Sequence, residues 1–141
     1  MSEDLNFKRN LMEIVSKKPV ILIVDDEPDI CEMLAKILSR EGYVVKIAMS
    51  GKETVKEVMA GSVDIVLLDI IMPDQDGIET LRQIKAIRPQ IPVIMFTAYV
   101  NMSTIRDAMR FGAYDYIAKP FDLESIKKVI KQRLEEQCIN S

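Results

Sequence analysis

Five short runs of apolar, mostly β-branched residues alternate with amphipathic helical patterns along this chain of 141 residues. Runs that are apolar at nearly every position predict strands buried on both faces of a parallel sheet. They cover about 20–24, 43–48, 64–68, 92–96 and 114–117. Repeated alternation of strand and helix predicts a doubly wound α/β fold rather than a β-sandwich or a helix bundle.

The intervening segments carry apolar residues at helical spacing, which predicts one buried stripe on each of five helices. Gly42 is placed to end the first helix, and Asp122 is placed to cap the fifth. The predicted stripes are Ile30, Leu34, Ile37 and Leu38; Val55, Val58 and Met59; Ile78, Leu81 and Ile84; Ile105, Ala108 and Met109; and Leu123, Ile126 and Ile130.

Residues 1–18 precede this alternation and form a predicted N-terminal amphipathic extension. Phe7, Leu11, Ile14 and Val15 repeat the helical spacing, and Pro19 ends the run. Two interpretations stay open: the helix folds onto its own domain or frays, or it docks to a partner or to a second copy. The remaining boundaries are predicted at 19–137 for one domain and 138–141 for a short tail.

Composition excludes several functions. The net charge of −3 and the pI near 5.1 leave no basic surplus for a phosphate backbone, so we expect protein partners and no direct nucleic-acid binding. No apolar stretch approaches the length of a membrane span, and Glu3 and Asp4 stand where a secretory signal would be basic, so we expect no membrane association and a cytoplasmic location.

The chain contains no histidine, so any phosphohistidine donor must belong to another molecule. Cys31 and Cys138 have neither disulfide-framework nor metal-ligand spacing, and both are interpreted as reduced thiols without an assigned role.

Four ionisable residues follow the apolar runs directly. Asp25 and Asp26 follow the first run, Asp69 the third and Lys119 the fifth. Because open α/β sheets build their sites at the carboxyl ends of parallel strands, we expect these charges to converge. Clustered carboxylates are costly unless a cation offsets them, so the pattern predicts a divalent-cation site with a phosphate-sized anion beside it.

Each acidic motif also has a simpler interpretation when it is taken alone. Asp25 and Asp26 could belong to a helix-capping turn that continues through Glu27 and Pro28. The segment 74–77, Asp-Gln-Asp-Gly, faintly suggests a calcium loop, but its ligand spacing fails, so a solvated turn is the better interpretation.

The combination is more informative than any single motif. The Asp25-Asp26 pair, Asp69 within Leu-Leu-Asp-Ile-Ile-Met-Pro, Thr97-Ala98, and Lys119-Pro120-Phe121 occur in an order that resembles the receiver domains of bacterial two-component response regulators. The resemblance covers about residues 19–136. It implies a single-domain, CheY-like protein with a five-stranded parallel sheet of order 2-1-3-4-5 and five helices.

The resemblance also implies a role for each residue at the sheet edge. Asp69 would be the phosphoacceptor, attacking phosphorus to give an aspartyl phosphate. Asp26 would hold Mg²⁺, or Mn²⁺, directly, and Asp25 would hold it chiefly through water. The backbone carbonyl of Ile71 would be a further ligand. Lys119 would supply a second cation, aimed into the cleft by a cis bond to Pro120.

Signal output is implied to depend on two further residues. Thr97 would donate to a phosphoryl oxygen, and its movement would let Tyr116 turn inward from solvent, changing the face made by the fourth helix, fifth strand and fifth helix. The implied partners are a sensor histidine kinase or histidine phosphotransfer protein, and a downstream protein or a second copy. Because only a short tail follows the fifth helix, we expect no output domain.

Two alternatives remain at this stage. One is a Mg²⁺-dependent phosphohydrolase with an aspartyl-phosphate intermediate. Such enzymes commonly carry a second acid two residues after the nucleophile, where this chain has Ile71. The other is a degenerate receiver that serves only for docking, against which the complete set of Asp25, Asp26, Asp69, Thr97 and Lys119 argues.

Overall fold

A five-stranded parallel sheet forms the centre of the protein. The computed structural model describes residues 18–72, 74–98 and 101–140, with side chains described as far as residue 136. The strands are β1 (Val20–Val24), β2 (Val44–Ala48), β3 (Ile65–Leu68), β4 (Val93–Thr97) and β5 (Asp115–Ala118). Their order is β2-β1-β3-β4-β5, and all four pairings are parallel. The predicted sheet and strand order are therefore confirmed.

Five helices connect and cover the strands. They are α1 (Pro28–Arg40), α2 (Gly51–Ala60), α3 (Gly77–Ile87), α4 (Met102–Arg110) and α5 (Leu123–Asn140). Proline in the first turn starts α1, and Gly42, with φ of +98°, turns the chain after it. The Asp122 carboxylate accepts the N–H of Glu124 at the start of α5, as its predicted capping role requires.

Two segments differ from the predicted domain boundaries or fall beyond them. Helix α5 continues to Asn140, so residues 138–140 extend the helix where the sequence predicted a tail. The amphipathic stripe in the N-terminal extension lies outside the described residues.

The sheet separates two apolar layers. Val66 and Leu68 of β3 face the layer beneath α2, α3 and α4, whereas Ile65 and Leu67 face the layer beneath α1 and α5. Strands β1, β3 and β4 are almost completely buried, because they lie inside the sheet with helices on both sides. The helices of the described segments include none that is both long and apolar enough to span a bilayer.

Two predicted stripe residues are exposed, whereas the others are buried or half-buried. Met59 is 63% exposed and Met109 is 46% exposed. On α2 the buried positions are the predicted Val58 together with Gly51 and Thr54. The Thr54 hydroxyl donates a hydrogen bond to the Ser50 carbonyl at 2.8 Å. The prediction was wrong at Met59 and Met109 because methionine was assumed to be a core residue. Both side chains lie outside the stripe that faces the sheet, which is narrower than the predicted one.

Candidate functional site at the carboxyl edge of the sheet

Three charged side chains from three different strand ends meet at one point. Asp25 follows β1, Asp69 follows β3 and Lys119 follows β5. The Lys119 Nζ lies 2.6 Å from Asp25 Oδ2 and 3.1 Å from Asp69 Oδ2. Asp25 and Asp69 are 0% and 4% exposed, so this is a buried cluster of charges rather than a surface ion pair. The predicted convergence of these residues is confirmed.

The protonation equilibria reflect both burial and pairing. Burial raises the pKa of Asp25 above its ordinary value, while the Lys119 ammonium and the N–H of Glu27 act in the opposite direction. Burial alone would lower the pKa of Lys119, but the hydrogen bonds that it donates to Asp25 and Asp69 outweigh burial and raise that pKa. The ammonium is therefore retained between the two carboxylates.

A third carboxylate joins this group, and it was missed in the sequence. Among the described residues, Asp25, Glu27 and Asp69 each place a carboxylate oxygen within 4.8 Å of the other two. Glu27 Oε1 also lies 3.6 Å from Lys119 Nζ. Such an all-oxygen donor set suits a hard divalent cation. The clue in the sequence was the position of Glu27 directly after the aspartate pair, where it was interpreted only as part of a capping turn.

The remaining predicted residues surround a cleft of about 270 Å³ beside this cluster. Asp26 is exposed and lines the cleft, but it is not one of the three acids whose oxygens lie within 4.8 Å of one another. Thr97 is the last residue of β4 and is buried at the cleft wall. The full lining is Asp26, Glu27, Asp69, Ile71, Thr97, Ala98 and Lys119.

Backbone contacts hold Asp69 in place. Its N–H donates to the Val24 carbonyl at 3.0 Å, which continues the pairing of β3 with β1 beyond the strand. Its Oδ1 accepts the N–H of Ile71 at 3.2 Å. Gly77 packs so closely beneath this segment that a Cβ at that position would overlap the backbone of Asp69 and Ile70. The Asp69 carboxylate is therefore oriented by rigid backbone as well as by Lys119.

The Lys119 ammonium also contacts the face of an aromatic ring. The Nζ lies 4.9 Å from the centroid of the fully buried Phe96 ring, and Phe96 makes an edge-to-face contact with Phe121 at 6.0 Å. The negative face of an aromatic ring attracts an ammonium, and the attraction strengthens away from water. The bond between Lys119 and Pro120 is cis, as the family resemblance implied.

The ring of Tyr116 is half-buried rather than exposed. It packs against the apolar layer beneath α2, α3 and α4, and burial raises the pKa of its hydroxyl. The sequence predicted a ring turned toward solvent. The structure differs because the ring packs against the apolar layer that includes Ala108 of α4, which covers part of it.

The fold and the acidic cluster at its sheet edge are those of a receiver domain. The model of the response regulator receiver domain family matches residues 21–131. The chain belongs to this family, whose members act as phosphoacceptor switches in two-component response regulators.

Individual relatives agree with this assignment. The transcriptional regulatory protein ZraR of Escherichia coli is 40% identical over 114 residues, which are 81% of this chain and 26% of ZraR. The regulatory protein AtoC of Escherichia coli is 37% identical over 119 residues, 84% of this chain and 26% of AtoC. The chain thus spans about a quarter of the length of these curated relatives.

A solved structure supports the fold over most of this chain. A CheY-like receiver domain protein from Methanospirillum hungatei superposes with a TM-score of 0.86 and 33% sequence identity. The match covers 89% of this chain and 100% of that protein.

Proposed function

We propose that this chain is a phosphorylation-controlled switch in which Asp69 receives a phosphoryl group from a histidine kinase or a histidine phosphotransfer protein. The observation that carries the proposal is the position of the Asp69 carboxylate. It lies at the cleft, 3.1 Å from the Lys119 ammonium, and it is oriented by the N–H of Ile71.

The chemistry follows from the donors around Asp69. From the described part of the chain, each carboxylate oxygen of Asp69 accepts one hydrogen bond, which leaves a lone pair for attack on phosphorus. A bond from a carboxylate oxygen to phosphorus forms as the phosphorus–nitrogen bond of phosphohistidine breaks, and the imidazole leaves with the electron pair and takes up a proton. Lys119 then offsets the charge of a phosphoryl oxygen, which it can reach because it already contacts Asp69.

The residues at the cleft fit a divalent cation, Mg²⁺ or Mn²⁺. Asp25, Asp26 and Asp69 with the carbonyl of Ile71 would hold it, and Glu27 lies near enough to contribute. When bound, the cation neutralises charge on the transferring phosphoryl group. The Lys119 ammonium already offsets part of the charge of Asp25, Glu27 and Asp69, and it lies within 3.6 Å of an oxygen of each.

Output is proposed to run through Thr97 and Tyr116. Thr97 stands at the cleft wall, and the neighbouring strand carries Tyr116 into the space beneath α4. A phosphoryl group on Asp69 would draw the Thr97 hydroxyl toward it and change the packing available to the ring. The affected face consists of α4, β5 and α5, and it would bind a downstream protein or a second copy of this chain. No direct contact with nucleic acid or membrane is proposed.

The central test is labelling with acetyl phosphate and Mg²⁺, followed by intact mass measurement. We expect an adduct of one phosphoryl group on the wild type and none on Asp69→Ala. Asp64→Asn is the matched control, because Asp64 lies at the opposite end of β3, where it accepts the N–H of Val20. Labelling of Asp69→Ala to the wild-type level would refute the assignment.

The same measurement separates the alternative functions. A phosphohydrolase would release phosphate over many turnovers without a lasting adduct, whereas a docking-only receiver would take no label. For the cation, Asp26→Ala should weaken Mg²⁺ binding severely, and an unchanged Mg²⁺ affinity would remove Asp26 from the ligand set.

Self-association is tested by sedimentation with beryllofluoride as the phosphoryl mimic. We expect a larger mass in its presence if the α4, β5 and α5 face binds a second copy. An identical mass in both conditions would refute self-association and leave docking to another protein.

A further inference from the structure

The carboxylate of Asp74 is bound to the start of a helix that is distant in sequence. Its Oδ1 accepts the N–H of Gly51 at 2.8 Å, and its Oδ2 accepts the N–H of Lys52 at 3.1 Å. These are the first two N–H groups of α2, which have no partner within the helix. The contact with Gly51 lowers the pKa of Asp74, so the side chain stays ionised. Asp74 therefore joins the loop after β3 to α2.

Helix α2 also has a cap of its own. The Ser50 Oγ accepts the N–H of Glu53 at 3.1 Å, as an N-cap serine normally does. Two side chains thus accept hydrogen bonds from the N-terminus of α2. Ser50 directly precedes the helix, whereas Asp74 is 22 residues away from Lys52 in sequence. A local cap can begin the helix without any second segment, so the consequence specific to Asp74 is that it fixes the position of its own loop.

That loop leads directly to the phosphoacceptor. Ile71 forms an isolated antiparallel bridge with Asp76, so the two ends of the loop are paired. Asp76 in turn caps α3 by accepting the N–H of Ile78 at 2.9 Å. The N–H of Ile71 donates to Asp69 Oδ1. A continuous set of contacts therefore runs from α2 through Asp74 and the loop to the carboxylate that reacts.

The side chain of Gln75 fixes the same loop from the other side. Its Nε2 donates to Thr80 Oγ1 at 2.6 Å and to Gln83 Oε1 at 3.1 Å, both on α3. Gly51 lies so close to Gln75 that a Cβ at that position would overlap the Gln75 side chain. Residues 74 and 75 thus connect the loop to α2 and α3, and the Asp74 carboxylate accepts two hydrogen bonds from α2.

We propose that Asp74 is a positioning residue for the reaction at Asp69: by binding the N-terminus of α2 it holds Ile71 at the cleft, and Ile71 orients the Asp69 carboxylate. The inference rests on the proposed function, because it concerns the same carboxylate and the same cation site. Asp74 itself need not contact the phosphoryl group or the cation.

The test compares Asp74→Ala with Ser50→Ala, since both remove a cap from the same helix but only the first removes the hydrogen bonds between that helix and the loop. Mg²⁺ binding is measured by calorimetric titration, together with the rate of labelling by acetyl phosphate at limiting and saturating Mg²⁺. Loss of an indirect partner of a metal ligand typically weakens metal binding by about tenfold or more, and we expect a loss of that size for Asp74→Ala. Ser50→Ala should keep the wild-type Mg²⁺ affinity.

Asp74→Asn keeps one acceptor oxygen and covers the case in which the alanine variant fails to fold. We expect its Mg²⁺ affinity to lie between those of wild type and Asp74→Ala. Equal Mg²⁺ affinity in wild type and the Asp74 variants would overturn the inference, and so would equal weakening by Ser50→Ala. A wild type that neither binds Mg²⁺ nor takes label would overturn the proposed function together with the inference, whereas an unaffected Asp74 variant beside a functional wild type would overturn the inference alone.

Discussion

Strands β3 and β5 both end at the candidate site, but they are supported very differently. Every residue of β3 is at most 1% exposed, and the strand has β1 and β4 as neighbours. Strand β5 is an edge strand with β4 as its neighbour; three of its residues are half-buried, and Ala118 is exposed. The fixed carboxylate, Asp69, follows the central strand, whereas Lys119 and Tyr116 belong to the edge.

This difference matches the roles proposed for Asp69 after the central strand and for Tyr116 on the edge strand. A phosphoacceptor has to keep its orientation, which buried backbone on both sides provides. Residues that respond to phosphorylation have to move, and elements with fewer buried contacts open at a lower free energy. The site therefore combines a rigid half, built on β1 and β3, with a less constrained half on β5.

The largest expected effect on stability comes from truncating an isoleucine in each of the two strands. Ile65→Ala in β3 should lower the free energy of unfolding by about 2–5 kcal/mol, because it opens a cavity in a fully packed core. Ile117→Ala in β5 should cost about half as much, since the Ile117 side chain is half-buried. Urea unfolding at neutral pH measures both values. Equal losses would show that the edge strand is as tightly packed as the centre.

Adding a methyl group tests the rigid half directly. Gly77→Ala should destabilise by about 1–3 kcal/mol, because the new Cβ would overlap the backbone of Asp69 and Ile70. Gly42→Ala is the control. Unlike Gly77, Gly42 has a positive φ but open space around it, so Gly42→Ala should lower the free energy of unfolding by only about 1 kcal/mol through backbone strain. Thermal unfolding of both variants measures these losses of stability. A Gly77→Ala variant as stable as wild type would contradict the close packing of Gly77 against the backbone of Asp69.

Removing the ammonium tests the link between the two halves. In the presence of a chelator, the free energy of unfolding of Lys119→Met should be about 2 kcal/mol lower than that of wild type. This is less than the cost of breaking a fully buried ion pair, because the cleft is open to water. The raised pKa of Lys119 means that its contribution is complete below the ordinary lysine value of 10.5 and disappears as pH rises through the higher folded value.

The stability difference between wild type and Lys119→Met should therefore be constant from neutral pH to about pH 10 and narrow above it. Urea unfolding at a series of pH values measures this difference. A gap that widens toward alkaline pH would contradict the ion pairs with Asp25 and Asp69.

The smallest effect concerns the reactivity of a thiol on α1, in the apolar layer that packs against the rigid half. Cys31 is buried beneath β1, and burial raises its pKa to about 11 from an ordinary 9.0. Its thiolate fraction near pH 8 should therefore be roughly a hundredfold below that of a free thiol. In a Cys138→Ser background, reaction with a disulfide reagent should be slow. Ala118→Cys, added at the exposed end of β5, should react rapidly; equal rates would contradict the contrast between centre and edge.

Several parts of the site could be predicted from the sequence because they depend on local order. Asp25, Asp69 and Lys119 each follow an apolar strand, so the fold brings them to the same edge of the sheet. Phe96 could not be identified, since a buried aromatic in a strand is ordinarily core, and its support of Lys119 depends on how β4 and β5 pair. Met59 and Met109 were misplaced because residue type alone does not determine which side of a helix stripe is covered.

By itself, the sequence determined the alternation of strands and helices, the buried character of β1, β3 and β4, and which charges follow them. These features depend on neighbours within a few residues, where hydrophobic periodicity acts. Only the tertiary structure decided that Lys119 contacts Asp25 across 94 residues, that Glu27 joins the acids, and that Asp74 binds the start of α2. Such contacts depend on strand register and helix placement, which are set by the packing of the whole core.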